Sequence, residues 1–143
     1  MLRVGVTELN IGFENREEAK KRCLEVMEEA RANGVELLVF PEMTLTGFTM
    51  RPWLYAESWD ADNIPDSVSF FMENSRKYKM SMAFGYIRAV MADGSLVYDE
   101  MKEKAYENRL VLVDGEKVVL DYAKIHPFSY SGEDKVYRAG EKL

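Results

Sequence analysis

Glu42 and Lys124 are the side chains whose type and placement suggest chemistry. Glu42 follows the apolar run Leu37 to Phe40 and Pro41, with Gly47 shortly after. Such a run ending at a proline reads as a buried strand, and a lone acid just past its carboxyl end lies where open α/β sheets place ligand crevices. Lys124 stands in Tyr122-Ala123-Lys124-Ile125-His126-Pro127-Phe128, again at the end of a predicted strand. Both side chains can then reach one crevice at the same edge of a sheet. An acid beside a lysine offers a proton acceptor and a cation for a developing oxyanion.

The flanking sequence supplies the elements that would position them. Leu2 to Leu9 alternates Leu2, Val4 and Val6 with Arg3, Gly5 and Thr7, a period-two strand. Asn15 with Glu18 three residues on reads as an N-cap with a capping-box partner, and Ala19, Cys23, Val26, Met27 and Ala30 recur at helical spacing. Asn33-Gly34 stops that helix and Val35 to Phe40 follows as a strand, so the first 40 residues form a parallel strand-helix-strand unit. Residues 49 to 65 lack a clear period and read as a long connection over the crevice. A helix is expected from Pro65-Asp66 to about Lys79, with Val68, Phe71, Met72 and Ser75 on one face. A strand from Met80 to Arg88 comes next. Asp93-Gly94, before Leu96 to Tyr98, and Asp114-Gly115, between Arg109 to Val113 and Lys117 to Tyr122, are hairpin signals. The sheet should therefore be parallel on one side and antiparallel on the other. The chain ends on Arg138 to Leu143 with no closing helix or strand in view.

Composition narrows the function classes. With 143 residues, 47% hydrophobic and 31% charged, the chain suits one folded domain with a real core. A net charge of -6 argues against a nucleic-acid surface. No apolar run approaches the roughly 20 residues of a membrane span, and the N-terminus lacks signal-peptide layout. A cytoplasmic protein with small-molecule or protein partners is expected. One Cys and one His leave no internal disulfide and no nitrogen- and sulfur-rich metal site. The adjacent Glu133-Asp134 pair has no converging ligands in the sequence, so no metal and no cofactor are expected.

Phe40-Pro41-Glu42-x-x-x-x-Gly47-Phe48, Lys124-x-His126-x-Phe128, and Glu133 with Gly140 after it resemble the nitrilase superfamily of carbon-nitrogen hydrolases, closest to its amidase-like branches. The likeness spans essentially the whole chain, including Asn108 in Tyr106-x-Asn108. It implies an α/β fold: the N-terminal half of a nitrilase-type α-β-β-α sandwich, a mixed sheet with two helices on one face. It further implies that Glu42 is the general base, Lys124 the oxyanion stabiliser, and Glu133 a glutamate that positions substrate and orders the site. Family members are often assembled as dimers or larger species.

The family's nucleophilic cysteine lies well beyond the lysine, whereas this chain stops 19 residues after Lys124 (143 minus 124). Cys23, between Ala19 and Met27 on the apolar face of the first helix, reads as a core thiol rather than a substitute. Residues 1–143 are thus expected to be a partial domain, the nucleophile coming from elsewhere. The open sheet face should then pair with a complementing C-terminal half or a second copy. Two functions follow: the N-terminal segment of a cysteine-dependent hydrolase of a small linear amide, or a catalytically inactive half-fold used for assembly. His126 is expected to be structural, bonded to backbone near Pro127. Tyr55, Trp53 and Trp59 either line a substrate entrance or cover the sheet edge.

Overall fold

The computed structural model describes residues 1–10, 12–90 and 105–141. The Asp93-Gly94 hairpin and the Leu96 to Tyr98 segment lie outside the described residues. The elements in order are β1 (Val4–Val6), α1 (Arg16–Ala32), β2 (Leu37–Val39), α2 (Asp66–Tyr78), β3 (Ser81–Ala89), β4 (Tyr106–Asp114), β5 (Lys117–Ala123) and α3 (Glu133–Val136). Single 3₁₀ turns at Pro52–Leu54 and Ser129–Ser131 interrupt the connections. The five strands form one sheet in the order β1-β2-β3-β4-β5, parallel up to β3 and antiparallel after it. This is the mixed α/β sheet expected from the spacing of the elements, and it has the half-fold that the family resemblance implies.

Local chemistry explains the boundaries. The Asn15 side chain accepts the Glu18 backbone N–H at 3.2 Å and so starts α1. The return half of the capping box is not made: the Asn15 N–H donates instead to the Gly12 carbonyl at 3.0 Å, and the Glu18 carboxylate accepts from Arg22 Nε at 3.0 Å. Gly34 takes φ +69°, a left-handed turn that only glycine adopts without penalty, and the chain enters β2. β1 is shorter than the alternation over Leu2 to Leu9 suggests: it is an edge strand, and its partner β2 has just three ladder residues.

Alternate strand residues face opposite sides. Leu38, Met82, Phe84, Tyr86, Val111 and Val113 are buried on the side covered by α1 and α2. Phe71 of α2 stacks on Phe84 with ring centroids 4.0 Å apart and meets Phe40 edge-on at 5.0 Å. The opposite side carries Val4, Val6, Leu110 and Leu120, which are 49%, 79%, 39% and 44% exposed. One face of the sheet is therefore core and the other is open and apolar. Among the described residues, no helix is long and apolar enough to cross a membrane.

Gly85, in the middle of β3, is where the sheet meets the loop after β2. A Cβ there would sit 2.5 Å from Met43 N and 3.0 Å from Glu42 Cα, both backbone atoms that cannot rotate away. Gly85→Ala is expected to push the Glu42 loop off the sheet and to lower stability by about 1–3 kcal/mol. Urea unfolding checks this, and an unchanged midpoint would contradict the close approach.

Candidate active site

Glu42 is aimed by a tightly folded loop. Phe40 makes the last ladder bond to β3, with its N–H on the Ala83 carbonyl at 2.8 Å. Pro41 has no N–H to continue the ladder, so the chain leaves the sheet. Thr44 then staples the turn: its hydroxyl donates to the Pro41 carbonyl at 2.6 Å and accepts the Gly85 N–H at 3.1 Å, while its own N–H reaches the Gly85 carbonyl at 2.9 Å. Met43 is left in the left-handed region at φ +47°, a strained place for a side chain with Cβ. That conformation puts Met43 into the interior and Glu42 at the mouth of a cavity.

Lys124 arrives from the far side of the sheet. The β4–β5 hairpin carries it back to β4, where its N–H donates to the Asn108 carbonyl at 2.9 Å. Its ammonium lies between two carboxylates, 2.8 Å from Glu42 Oε1 and 2.9 Å from Glu133 Oε2. Glu133, the first residue of α3, is fully buried. The Phe128 N–H donates to its Oε2 at 2.6 Å, and Asn108 Nδ2 donates to its Oε1 at 2.8 Å. Asn108 Nδ2 also donates to Glu42 Oε1. Glu42, Lys124, Glu133 and Asn108 thus form one closed network.

The electrostatics follow from that geometry. Burial works against the Lys124 ammonium, yet its bonds to Glu133 and Glu42 outweigh burial and hold its pKa above the ordinary lysine value. Burial likewise opposes the Glu133 carboxylate, but the bonds from Lys124, the Phe128 N–H and Asn108 outweigh it and lower its pKa. Lys124 is therefore a fixed cation and Glu133 a fixed anion. Glu42 differs from Glu133 in access: its side chain is 45% exposed, and among the described residues Oε2 has no hydrogen-bond partner. A cavity of about 210 Å³ opens here, lined by Phe40, Glu42, Asn108, Leu110, Tyr122 and Lys124. One unoccupied carboxylate oxygen and one ammonium face the same small, largely apolar space.

All three expected residues, Glu42, Lys124 and Glu133, are brought together. Asn108 was visible only as part of a motif, and its link between both carboxylates had no signature in the spacing. His126 is exposed and its ring has no hydrogen bond among the described residues, which corrects the expected backbone bond near Pro127. Trp59 packs against Tyr86 at 6.4 Å and Tyr55 against Met43, Ile87 and Tyr137, so these two cover the sheet and do not line the cavity. Cys23 is fully buried with Ala19 and Met27 on the helix-covered side of the sheet, and burial pushes its thiol up to about 12. A thiol so placed is neither exposed nor ionised. Among the described residues, no group of three or more His, Cys, Asp and Glu is placed to hold a metal.

The network gives stability a defined pH dependence. Glu133 has a lower pKa folded than unfolded, so its contribution is full above the ordinary value of 4.5 and is lost as pH falls through the folded value. Lys124 has the opposite sign: its contribution is full below 10.5 and is lost as pH rises through its raised folded value. Glu133→Gln is expected to flatten the acid limb of a urea-derived stability profile and to cost about 2 kcal/mol near neutrality. An unaltered acid limb would contradict this.

Known proteins share this arrangement of elements. A sequence model described as carbon-nitrogen hydrolase matches residues 3–142. A glutamine-dependent NAD(+) synthetase of Thermotoga maritima is 27% identical over 144 residues, covering 99% of this chain and 23% of the synthetase. Saccharomyces cerevisiae Nit3, described as a member of branch 10 of the nitrilase superfamily, superposes with a TM-score of 0.78 at 18% identity, over 99% of this chain and 49% of Nit3. The amidase from Nesterenkonia sp. AN1, seen with acrylamide added to its active-site cysteine, gives 0.76 at 13% identity, over 99% of this chain and 51% of the amidase. The chain thus spans about half the length of these solved structures and under a quarter of the synthetase. With the family pattern running through residues 3–142 and the same fold beneath it, the chain belongs to the carbon-nitrogen hydrolase family.

Proposed function

We propose that residues 1–143 are the N-terminal part of a cysteine-dependent hydrolase of a small linear carboxamide, with the nucleophilic thiol supplied from outside these residues. The observation that carries this is Glu42, at the cavity mouth: Oε1 is anchored by Lys124 and Asn108 while Oε2 has no hydrogen-bond partner among the described residues. A carboxylate held on one oxygen and open on the other is built to take and return a proton. In this reading Glu42 Oε2 accepts the thiol proton as sulfur attacks the amide carbon. The carbonyl oxygen becomes an oxyanion beside the Lys124 ammonium. Glu42 then returns its proton to the departing ammonia, leaving a thioester. Water attacks the thioester with its proton taken by Glu42, and the acid and the thiol are released. Glu133, buried behind the cavity, and Asn108, on its wall, keep the base and the cation in place.

The cavity and the relatives both support an amide. A space of about 210 Å³ admits a small aliphatic chain. The synthetase relative is glutamine-dependent and a structural neighbour is an amidase. The open apolar face with Val6 and Leu120 supports pairing with a complementing C-terminal half, which would enclose the cavity and bring in the thiol, or with a second copy, which would cover the face without supplying a nucleophile. A cytoplasmic setting suits this chemistry, because a reducing compartment keeps a nucleophilic thiol free of disulfides.

The test is ammonia release from glutamine and simple aliphatic carboxamides, using the chain together with the segment that supplies the thiol. Glu42→Gln is expected to lower kcat by roughly 10²- to 10⁴-fold with the fold intact, and Cys23→Ala to leave it unchanged. Full activity in Glu42→Gln would overturn the role of Glu42 as the base, and no ammonia release from the unsubstituted assembly would overturn the hydrolase reading in favour of an assembly module whose network is structural.

A further inference from the structure

Glu133 is carried by α3, a helix of four residues, which cannot hold its own position in water. Its placement must come from its ties. Two of these run to the hairpin: Arg138 N–H to the Tyr106 carbonyl at 2.7 Å and Gly140 N–H to the Lys124 carbonyl at 2.9 Å. Another runs to the loop that leaves Glu42. Tyr137 is fully buried, packs with Met43 and Ile87, and donates its hydroxyl to the Thr49 carbonyl at 2.6 Å, with Met43 Sδ at 3.7 Å.

Thr49 is a fixed acceptor. It is fully buried, and its hydroxyl donates to Glu14 Oε1 at 2.5 Å. Glu14 is held in turn by Arg51 Nε at 3.1 Å and Tyr55 OH at 3.3 Å, with its backbone N–H on the Thr46 carbonyl at 2.8 Å. Met43, the residue Tyr137 touches, adjoins Glu42 and sits in the strained left-handed conformation. A strained residue persists when its surroundings over-determine it, and Tyr137 is part of those surroundings.

We propose that Tyr137 is a positioning residue: its buried hydroxyl, bonded to the Thr49 carbonyl beside Met43, sets the spacing of Glu42 and Glu133 across the Lys124 ammonium. Burial, with the nearby Glu133 and Glu42 charges, raises the phenol's pKa, so it stays protonated and remains a donor. Removing the hydroxyl leaves a buried carbonyl without its partner and frees α3 to drift from the Glu42 loop. The effect on geometry stands by itself; its effect on turnover rests on the catalytic reading above.

The experiment compares Tyr137→Phe with Tyr86→Phe in the full chain. Tyr86 is also buried, but its hydroxyl has no hydrogen-bond partner among the described residues, so it supplies the same chemical change without a broken tie. The readout is the titration of the Lys124 side chain by NMR, with thermal unfolding alongside. Tyr137→Phe is expected to move the Lys124 midpoint down toward that of a free lysine, and Tyr86→Phe to leave it in place. A lower melting temperature in Tyr137→Phe with an unmoved Lys124 midpoint would reduce Tyr137 to packing and overturn the proposal, as would equal movement in both variants. Should Tyr137→Phe not fold, the unsubstituted chain still decides: the Tyr137 hydroxyl proton must exchange slowly with water, and fast exchange overturns the tie.

With the thiol-bearing segment present, Tyr137→Phe should lower kcat roughly ten-fold while KM stays within about two-fold. A moved Lys124 midpoint with unchanged turnover would keep the positioning role and count against the catalytic reading.

Discussion

A fully buried carboxylate, Glu133, is the constraint that orders this structure. An isolated charge at such a site costs far more than the fold can supply, so it must be paired and hydrogen-bonded. Its two oxygens take three donors: Lys124 and the Phe128 N–H on one, Asn108 on the other. Satisfying Glu133 therefore fixes the end of β5, the beginning of β4 and the start of α3 together. Glu42 completes the arrangement as the exposed partner of the same ammonium. One carboxylate is used up holding the lysine, and the other keeps an oxygen free.

The same logic explains why the loop after β2 is built so tightly. A flexible loop would let Glu42 swing to solvent, since an exposed ion pair contributes little by itself. Pro41 ends the ladder, Thr44 clamps the turn to Gly85, and the missing Cβ of Gly85 lets the backbone lie against the sheet. Met43 carries the strain and is packed by Tyr137. Glu42, Lys124 and Glu133 thus come from three separate connections at one end of the sheet, where an open α/β sheet places its crevice.

Much of this was legible in the sequence because it depends on local signals. Asn15, Asn33-Gly34 and Asp114-Gly115 mark element ends by their own backbone chemistry, and the buried Met82, Phe84 and Tyr86 show a strand face by alternation. Glu42 and Lys124 stood out because each follows a strand. The roles of Asn108 and Tyr137 were not legible, since they come from contacts across 66 and 88 residues of chain that no periodicity encodes. The helix beginning at Glu133 escaped because four residues carry no period. The short β1 reflects tertiary context, an edge strand with a three-residue partner, whereas the absent return bond of the capping box reflects the turn before the helix, whose Gly12 carbonyl takes the Asn15 N–H.

The pairing of Lys124 with Glu133 bears the most weight, and a double-mutant cycle measures it directly. Unfolding free energies of Lys124→Met, Glu133→Gln and the double variant separate their coupling from the individual costs. If the ammonium bridges the two carboxylates as described, the double variant should lose at least about 1 kcal/mol less than the sum of the single losses. Losses that add to within about 0.3 kcal/mol would mean that the two side chains do not interact, and the site would have to be redrawn without its bridge.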